Sequence, residues 1–348
     1  MKVAVIIPPY ATLPVEGQGG TERVAFGFIQ ELNKRGIDTT TIGAGSSNVP
    51  GEFVSLQDKA ISDLEIDPTF SEGSRALRIE ASYIARVANY LDKHQSEFDA
   101  VFNHMRAGFL LLPLAKYLKP PIITTLHLPI FPQLATALED YAHPNIVTVS
   151  KSQQEPAKNV NFLGFVHNAI DLSEFTFNQD PEEFVLFVGA MGEHKAPHLA
   201  IEAAKRAGVP IVLAGDKKRE PYFSEQISPL IDNQTVIYRG EVSGKEKADL
   251  FGKAKAILMT SQIQETFGLV MIEALASGTP VVSLRIGASD EVIVNGKTGY
   301  VVDDVNQMAD SILKLEKIDR RYCREYAEKH FSFQRLTDNY LDLLKKIN

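Results

Sequence analysis

The chain has 348 residues, 44% apolar and 23% charged; this is ordinary globular usage, which excludes a disordered or collagen-like polymer and, at roughly 150 residues per domain, points to two domains. Acidic residues outnumber basic ones 44 to 36, and residues 1–175 alone hold 19 acidic against 14 basic, so neither half is a basic polyanion-binding module and nucleic acid is not an expected partner. One cysteine, Cys323, excludes an internal disulfide and a cysteine-built zinc cluster, and with no signal-peptide pattern at the N-terminus it suits a reducing, cytoplasmic setting.

Short β-rich runs alternate with helical patterns along the chain, the mark of βα units around parallel sheets. The first strand is expected over Val3 to Ile7, followed by a loop rich in proline and glycine. A helix from about Thr21 to Lys34 follows, where Val24, Phe28, Ile29 and Leu32 recur at helical spacing and Gly36 marks the end. Further elements are a strand near 38–42, an amphipathic helix over about 72–94, and strands at 98–102, 122–126 and 145–150. The most apolar stretch, AGFLLLPLA at 107–115, is about half of the ~20 residues that a spanning helix needs and is broken by Pro113. No membrane span is expected, and peripheral membrane contact stays open.

A polar, turn-rich stretch at 167–183 separates this series from a second one, which sets the domain boundary near 175. The second series starts with EFVLFVGA at 183–190, a continuous apolar run of the kind a strand covered on both faces requires. Helices are expected at 197–207, 244–253 and 267–277, and strands at 209–216, 235–240, 256–260 and 279–284. Helical pattern continues from 305, with a break near His330 to Ser332 before a last segment at 331–348.

Parallel α/β sheets bind ligands beyond the carboxyl ends of their strands, so the loops there hold the candidates. Gly17, Gly19 and Gly20 precede the first helix. Such glycines let backbone amides approach an anionic or hydroxyl-rich ligand, or they form a plain flexible loop. They do not spell the dinucleotide fingerprint, and Gly296-Lys297-Thr298 lacks the leading glycine of a Walker loop. In ETFGLVMIEALAS, 265–277, the apolar face is Phe267, Val270, Met271, Ala274 and Leu275, with Thr266, Glu273 and Ser277 on one polar edge. Glu265 and the first-turn amides of Phe267, Gly268 and Leu269 would then open toward one place. Amides and the helix dipole suit a phosphate, and carboxylates suit sugar or ribose hydroxyls; the alternative is an acidic residue that only stabilises the helix dipole beside a surface glutamate. His127 and His104 each follow a strand, where the residues alone favour a structural histidine for His127 and leave His104 open between cleft lining and structure.

The segment ETFGLVMIEALASGTPVVSLRIGASDEVIVNGKTGYVVDD resembles the donor-site signature of the retaining group 1 glycosyltransferases of family four, which adopt the GT-B fold. GGTERVAFGFIQELNKRG, TLHLP and VHNAIDLSEF are similar to their family counterparts, and the resemblance is weakest over about 45–95. It implies that Gly19 and Gly20 approach the donor phosphate and sugar, that Lys195 pairs with the diphosphate, and that Glu273 binds ribose hydroxyls. It also implies that Glu265 faces the transferred sugar and that His127 lies near the reactive centre, with His104 a weaker candidate. One departure stands out: Ala190 occupies the place of the family's arginine, the second half of the cationic clamp on the leaving diphosphate. Lys217, Lys218 and Arg219 are the nearby basic residues that could replace it.

The expected fold is therefore GT-B, with two Rossmann-like doubly wound parallel-sheet domains facing across a cleft. They would be an acceptor-side domain at 1–175 and a donor domain at 176–330, with a last helix at 331–348 packing back on the first. The expected activity is that of a hexosyltransferase, moving a sugar from a nucleotide sugar to an acceptor hydroxyl with retention. No metal or cofactor is required beyond the donor itself, and no Asp-x-Asp triplet occurs in the sequence. The alternatives are a nucleotide-sugar hydrolase or epimerase on the same fold, and a non-catalytic nucleotide-sugar binder, which Ala190 suggests.

Overall fold

The computed structural model describes residues 1–15, 19–64, 75–142, 144–217 and 220–347. The expected candidates Gly17, Lys218 and Arg219, and the start of the helix expected from 72, lie outside the described residues. The chain forms two compact units, Met1–Ala169 with Phe333–Asn348, and Ile170–Ser332.

The first unit holds a seven-stranded sheet in the order β3-β2-β1-β4-β5-β6-β7. Its strands are β1 (Lys2–Ile6), β2 (Asp38–Gly43), β3 (Glu52–Ser55), β4 (Ala100–Asn103), β5 (Ile122–Leu126), β6 (Ile146–Thr148) and β7 (Gly164–Phe165). The second holds six strands in the order β10-β9-β8-β11-β12-β13. These are β8 (Val185–Val188), β9 (Ile211–Ala214), β10 (Val236–Tyr238), β11 (Ala256–Met259), β12 (Val281–Leu284) and β13 (Gly299–Val302). Every ladder is parallel, with Val3 opposite both Thr39 and Ala100, and Val185 opposite both Ile211 and Ala256. This is the doubly wound Rossmann order twice over. The order reverses between β1 and β4 and again between β8 and β11, which puts each unit's ligand crevice at the loops leaving those strands.

Burial explains the strand composition. Val3, Ala4, Val5 and Ile6 are buried in β1, and Val185, Leu186 and Phe187 in β8, because helices cover both sheet faces. The Gly20–Lys34 helix presents Val24, Ala25, Phe28, Ile29 and Leu32 to the first sheet. The Pro197–Ala207 helix carries proline in its first turn and ends on Gly208 in the left-handed conformation, and Ala200, Ile201 and Ala204 lie in the second unit's core.

Several elements differ from the sequence reading. Strand β3 and the Pro132–Glu139 helix had no clear pattern of their own. The helix expected from 267 begins instead at Leu269, because Gly268 takes a left-handed φ of +84° and breaks the helical path behind it. Phe267 is buried in the loop, edge-on to Phe331 at 6.0 Å, so its apolar character reflects core packing and not a helix face. Residues 170–175 join the second unit, where Phe175 packs edge-on against Phe251 at 6.0 Å.

The last helix, Phe333–Ile347, packs within the first unit. Phe333 fills the space over Gly27, where a Cβ would meet its Cζ at 2.0 Å. Arg35 Nη1 donates to Asp338 Oδ1 at 2.6 Å, and the Tyr340 and Thr125 hydroxyls meet at 2.8 Å. In the second unit, buried Arg320 donates to the carbonyls of Asn178, Gly252 and Ala254 and to the Thr279 hydroxyl, at 2.7 to 3.0 Å. One guanidinium thus ties three separate segments to its own helix.

Candidate active site

At the second unit's switch point, the chain leaving β8 forms the loop Gly189–Ala196 and the chain leaving β11 forms Thr260–Gly268. The two loops are stitched by side-chain and backbone hydrogen bonds. The Thr260 hydroxyl lies 2.9 Å from both the Lys195 and Ala196 carbonyls, and the Gln262 amide donates to the His194 carbonyl at 2.8 Å. Ala196 adopts a left-handed φ of 48° immediately before the Pro197–Ala207 helix, and Lys195 stands one residue ahead of it. There Lys195 Nζ donates to Glu265 Oε1, and Ser261 Oγ donates to the same oxygen at 3.0 Å. The loop after β12 lies close against the Glu265 backbone, with no room there for a Cβ on Gly287. Two of the expected donor residues, 70 positions apart in sequence, therefore form one ion pair.

Glu273 emerges from the Leu269–Ala276 helix and is held by a different cation. Lys247 Nζ lies 2.8 Å from its Oε1 and 2.7 Å from its Oε2, so both carboxylate oxygens face one ammonium. Lys247 comes from the Gly244–Lys253 helix, whose residues Ala248 and Phe251 are buried. The sequence reading missed Lys247 and Ser261. The only available signal was that Lys247 sits in the early part of a helix, where acidic residues are the better complement to the dipole. Ala190 is half-buried, its carbonyl accepting from the Gly192 amide at 2.9 Å. The adjacent Met191 amide donates to the Asp216 carbonyl at 2.8 Å, so the loops after β8 and β9 lean on each other, while Lys217 Nζ sits 6.0 Å from the Phe223 ring centroid. The backbone of 267–269 runs into the helix through Gly268, and the Gly268 carbonyl accepts from the Met271 amide at 3.0 Å.

In the first unit, His104 follows β4 and His127 follows β5, and their rings are joined by a bond between His104 Nδ1 and His127 Nε2 of 3.0 Å. Both are buried, and Tyr340 and Phe28 stand at 5.7 Å from the His104 ring. Burial pushes His104 down to about 4, and holds His127 well below the usual imidazole range, reinforced by His104 and Arg106. Both are neutral near pH 7. Two residues on from His104, Arg106 reaches Glu22 at 3.3 Å and lies over the Tyr10 ring at 4.3 Å. Glu22 is buried in the first turn of the Gly20–Lys34 helix, which Gly19 caps with a φ of +152°. The pair Glu22 and Arg106 had no signature in the sequence beyond the family loop that contains the glutamate.

A family model described as Glycosyl transferases group 1 matches residues 168–330, and one described as Glycosyltransferase Family 4 matches residues 18–174. Spore coat protein SA of Bacillus subtilis is 27% identical over 186 residues, which are 47% of this chain and 49% of the relative. The O-antigen chain mannosyltransferase RfbU of Salmonella typhimurium is 29% identical over 182 residues, 50% of this chain and 51% of the relative. The chain thus spans about half the length of the curated relatives it matches. Among solved structures, AviGT4, a glycosyltransferase involved in avilamycin A biosynthesis, aligns over 99% of this chain and 97% of its own, with a TM-score of 0.72 at 21% identity. HepE from Anabaena, crystallised with UDP and glucose, aligns over 99% and 100% with a TM-score of 0.70 at 16% identity. At these identities the likeness carries the GT-B fold and nothing finer.

Proposed function

The chain belongs to the group 1, family four glycosyltransferases, and from that membership we propose that it transfers a hexose from a nucleotide sugar to an acceptor hydroxyl with retention at the anomeric carbon. The observation that carries this reading is the meeting of Lys195 and Glu265 at the β8/β11 switch point, with Glu273 on the helix that follows. Lys195 would meet the diphosphate as a mobile point charge, and the amides entering the Leu269–Ala276 helix would add donors to it. Glu273 would take the ribose hydroxyls on oxygen lone pairs that Lys247 leaves unused, since each carboxylate oxygen can accept more than one bond. Glu265 would accept from hydroxyls of the transferred sugar.

In the first unit, His127 would face the sugar as a neutral imidazole, able to hydrogen-bond but not to carry a proton into the reaction near pH 7. No side chain in this reading serves as an enzymic nucleophile. The leaving phosphate itself would help deprotonate the incoming hydroxyl on the same face of the sugar, and Lys195 would stabilise the charge that develops there. The diphosphate charge is assigned to Lys195 and to amides, so no metal ion takes part. A solved neighbour supports a nucleotide-sugar donor, since HepE was crystallised with UDP and glucose and with UDP-glucose. The name of RfbU, a mannosyltransferase, supports a hexose.

Incubation with UDP-glucose and GDP-mannose and a panel of glycoside acceptors, followed by mass spectrometry and NMR of the anomeric proton, tests the reaction. We expect a product one hexose heavier than its acceptor, with the donor's anomeric configuration, formed equally well in the presence of EDTA. An inverted product or loss of transfer on chelation would contradict the mechanism. Donor binding with no turnover on any acceptor would favour the non-catalytic reading that Ala190 suggests.

A further inference from the structure

Lys195 and Glu265 have conflicting tasks in the site just described. Their side chains are 26% and 19% exposed, and Ser261 adds a second donor to the same carboxylate oxygen. The contact is not a chance meeting of two long surface chains. The Lys195 carbonyl accepts from Thr260, and the Glu265 backbone lies packed against Gly287. Ala190 brings no second cation to the neighbouring position.

A diphosphate arriving here must compete with Glu265 for the Lys195 ammonium. If Lys195 turns to the phosphates, the partly buried Glu265 carboxylate loses its cation; if Lys195 stays, the carboxylate stands close to the anionic ligand. Glu265 therefore opposes a bare nucleoside diphosphate in either arrangement. A diphosphate that carries a sugar differs, because sugar hydroxyls are donors and can replace the ammonium on Glu265. We propose that Glu265 restrains Lys195 in the ligand-free protein and releases it to a sugar-bearing diphosphate, so that the pair selects donor over bare nucleoside diphosphate and favours release of the latter as product. This inference rests on the donor-site reading above.

The test is calorimetry with ADP, GDP and UDP on the wild type, Glu265→Gln, Lys195→Met and the double variant. For the diphosphate that the wild type binds most tightly, Glu265→Gln is expected to bind about five- to tenfold more tightly and Lys195→Met at least tenfold more weakly, on the scale of a charge-assisted contact. The double variant should gain much less over Lys195→Met than Glu265→Gln gains over the wild type, because no lysine remains to be released and only the direct repulsion is relieved. The preference of Glu265→Gln for the corresponding nucleotide glucose over the diphosphate should fall below that of the wild type. Unchanged or weaker diphosphate binding by Glu265→Gln would overturn the proposal. So would the same tightening in the Lys195→Met background, which would show plain charge repulsion acting without the lysine. A wild type that binds none of the three diphosphates would overturn the donor-site reading itself, and the restraint with it, whereas binding with additive variants would overturn the restraint alone.

Discussion

Single side chains at this site are described by which partner each one holds. Glu265 and Glu273 belong to the same motif and lie eight residues apart in number, yet each is matched to its own lysine, 70 and 26 residues away. The glutamates and Lys195 were legible because they stand in a family pattern. Lys247 was not, since a lysine in an amphipathic helix has no feature that separates a solvated residue from one held by a carboxylate. The histidines show the same limit: His104 and His127 were each readable as strand-end residues, but the bond between their rings depends on β4 and β5 being neighbours in the sheet. Their burial has a consequence for stability. The His104 imidazole is held at about 4 in the folded chain, below the usual value of 6.5. The unfolded chain therefore takes up a proton first as pH falls, and stability that is complete above pH 6.5 is lost progressively down to about pH 4. For His104 alone this amounts to about 3 kcal/mol, from 1.36 kcal/mol per pH unit. Urea unfolding of wild type and His104→Phe at pH 7 and 4.5 measures it, and the variant should lose distinctly less stability on acidification. Equal losses would show that His104 does not titrate differently in the two states.

Elements are positioned by a few buried polar clamps as much as by their apolar faces. Helix spans followed from spacing and punctuation where these agreed, as in Pro197–Ala207 with proline at its start and glycine past its end. They failed where a core residue imitated helical spacing: Phe267 fits the period of the next helix, but the left-handed Gly268 separates the two. Strand β3 escaped notice because only Phe53 and Val54 give it apolar character, both half-buried at the sheet edge. Arg320 is the clearest clamp in the second unit. Its desolvated guanidinium, lowered to about 10 by burial, satisfies three carbonyls and a hydroxyl from segments near 178, 252–254 and 279. Arg320→Met should leave those carbonyls without their donor and cost about 3 kcal/mol or more, since buried groups stripped of a charged partner bear the full desolvation penalty. Arg320→Lys should recover little of it, because one ammonium cannot reach the four acceptors that the planar fork spans. Chemical denaturation of the three proteins decides this, and a loss under about 1 kcal/mol for the methionine variant would contradict the clamp.

At the scale of the molecule, the doubly wound architecture follows from the alternation of strand and helix, because continuous apolar strands such as VLFV at Val185–Val188 need cover on both faces. The same alternation could not reveal that the last helix is part of the first unit, which depends on Phe333 over Gly27 and Tyr340 beside Phe28. Two sheets with the same strand order give two switch points, and the chemistry is unevenly divided between them. The second unit carries the lysine and glutamate pairs suited to a nucleotide sugar. The first carries neutral histidines beside the Glu22 and Arg106 pair. The proposed donor site lies at the loops leaving β8 and β11. Amide hydrogen exchange with and without saturating nucleotide sugar locates the ligand. Protection should concentrate in residues 189–197 and 260–275 of the second unit, around Lys195, Glu265 and Glu273. Binding that leaves those two segments unprotected and slows exchange elsewhere in the chain would place the donor away from Lys195, Glu265 and Glu273.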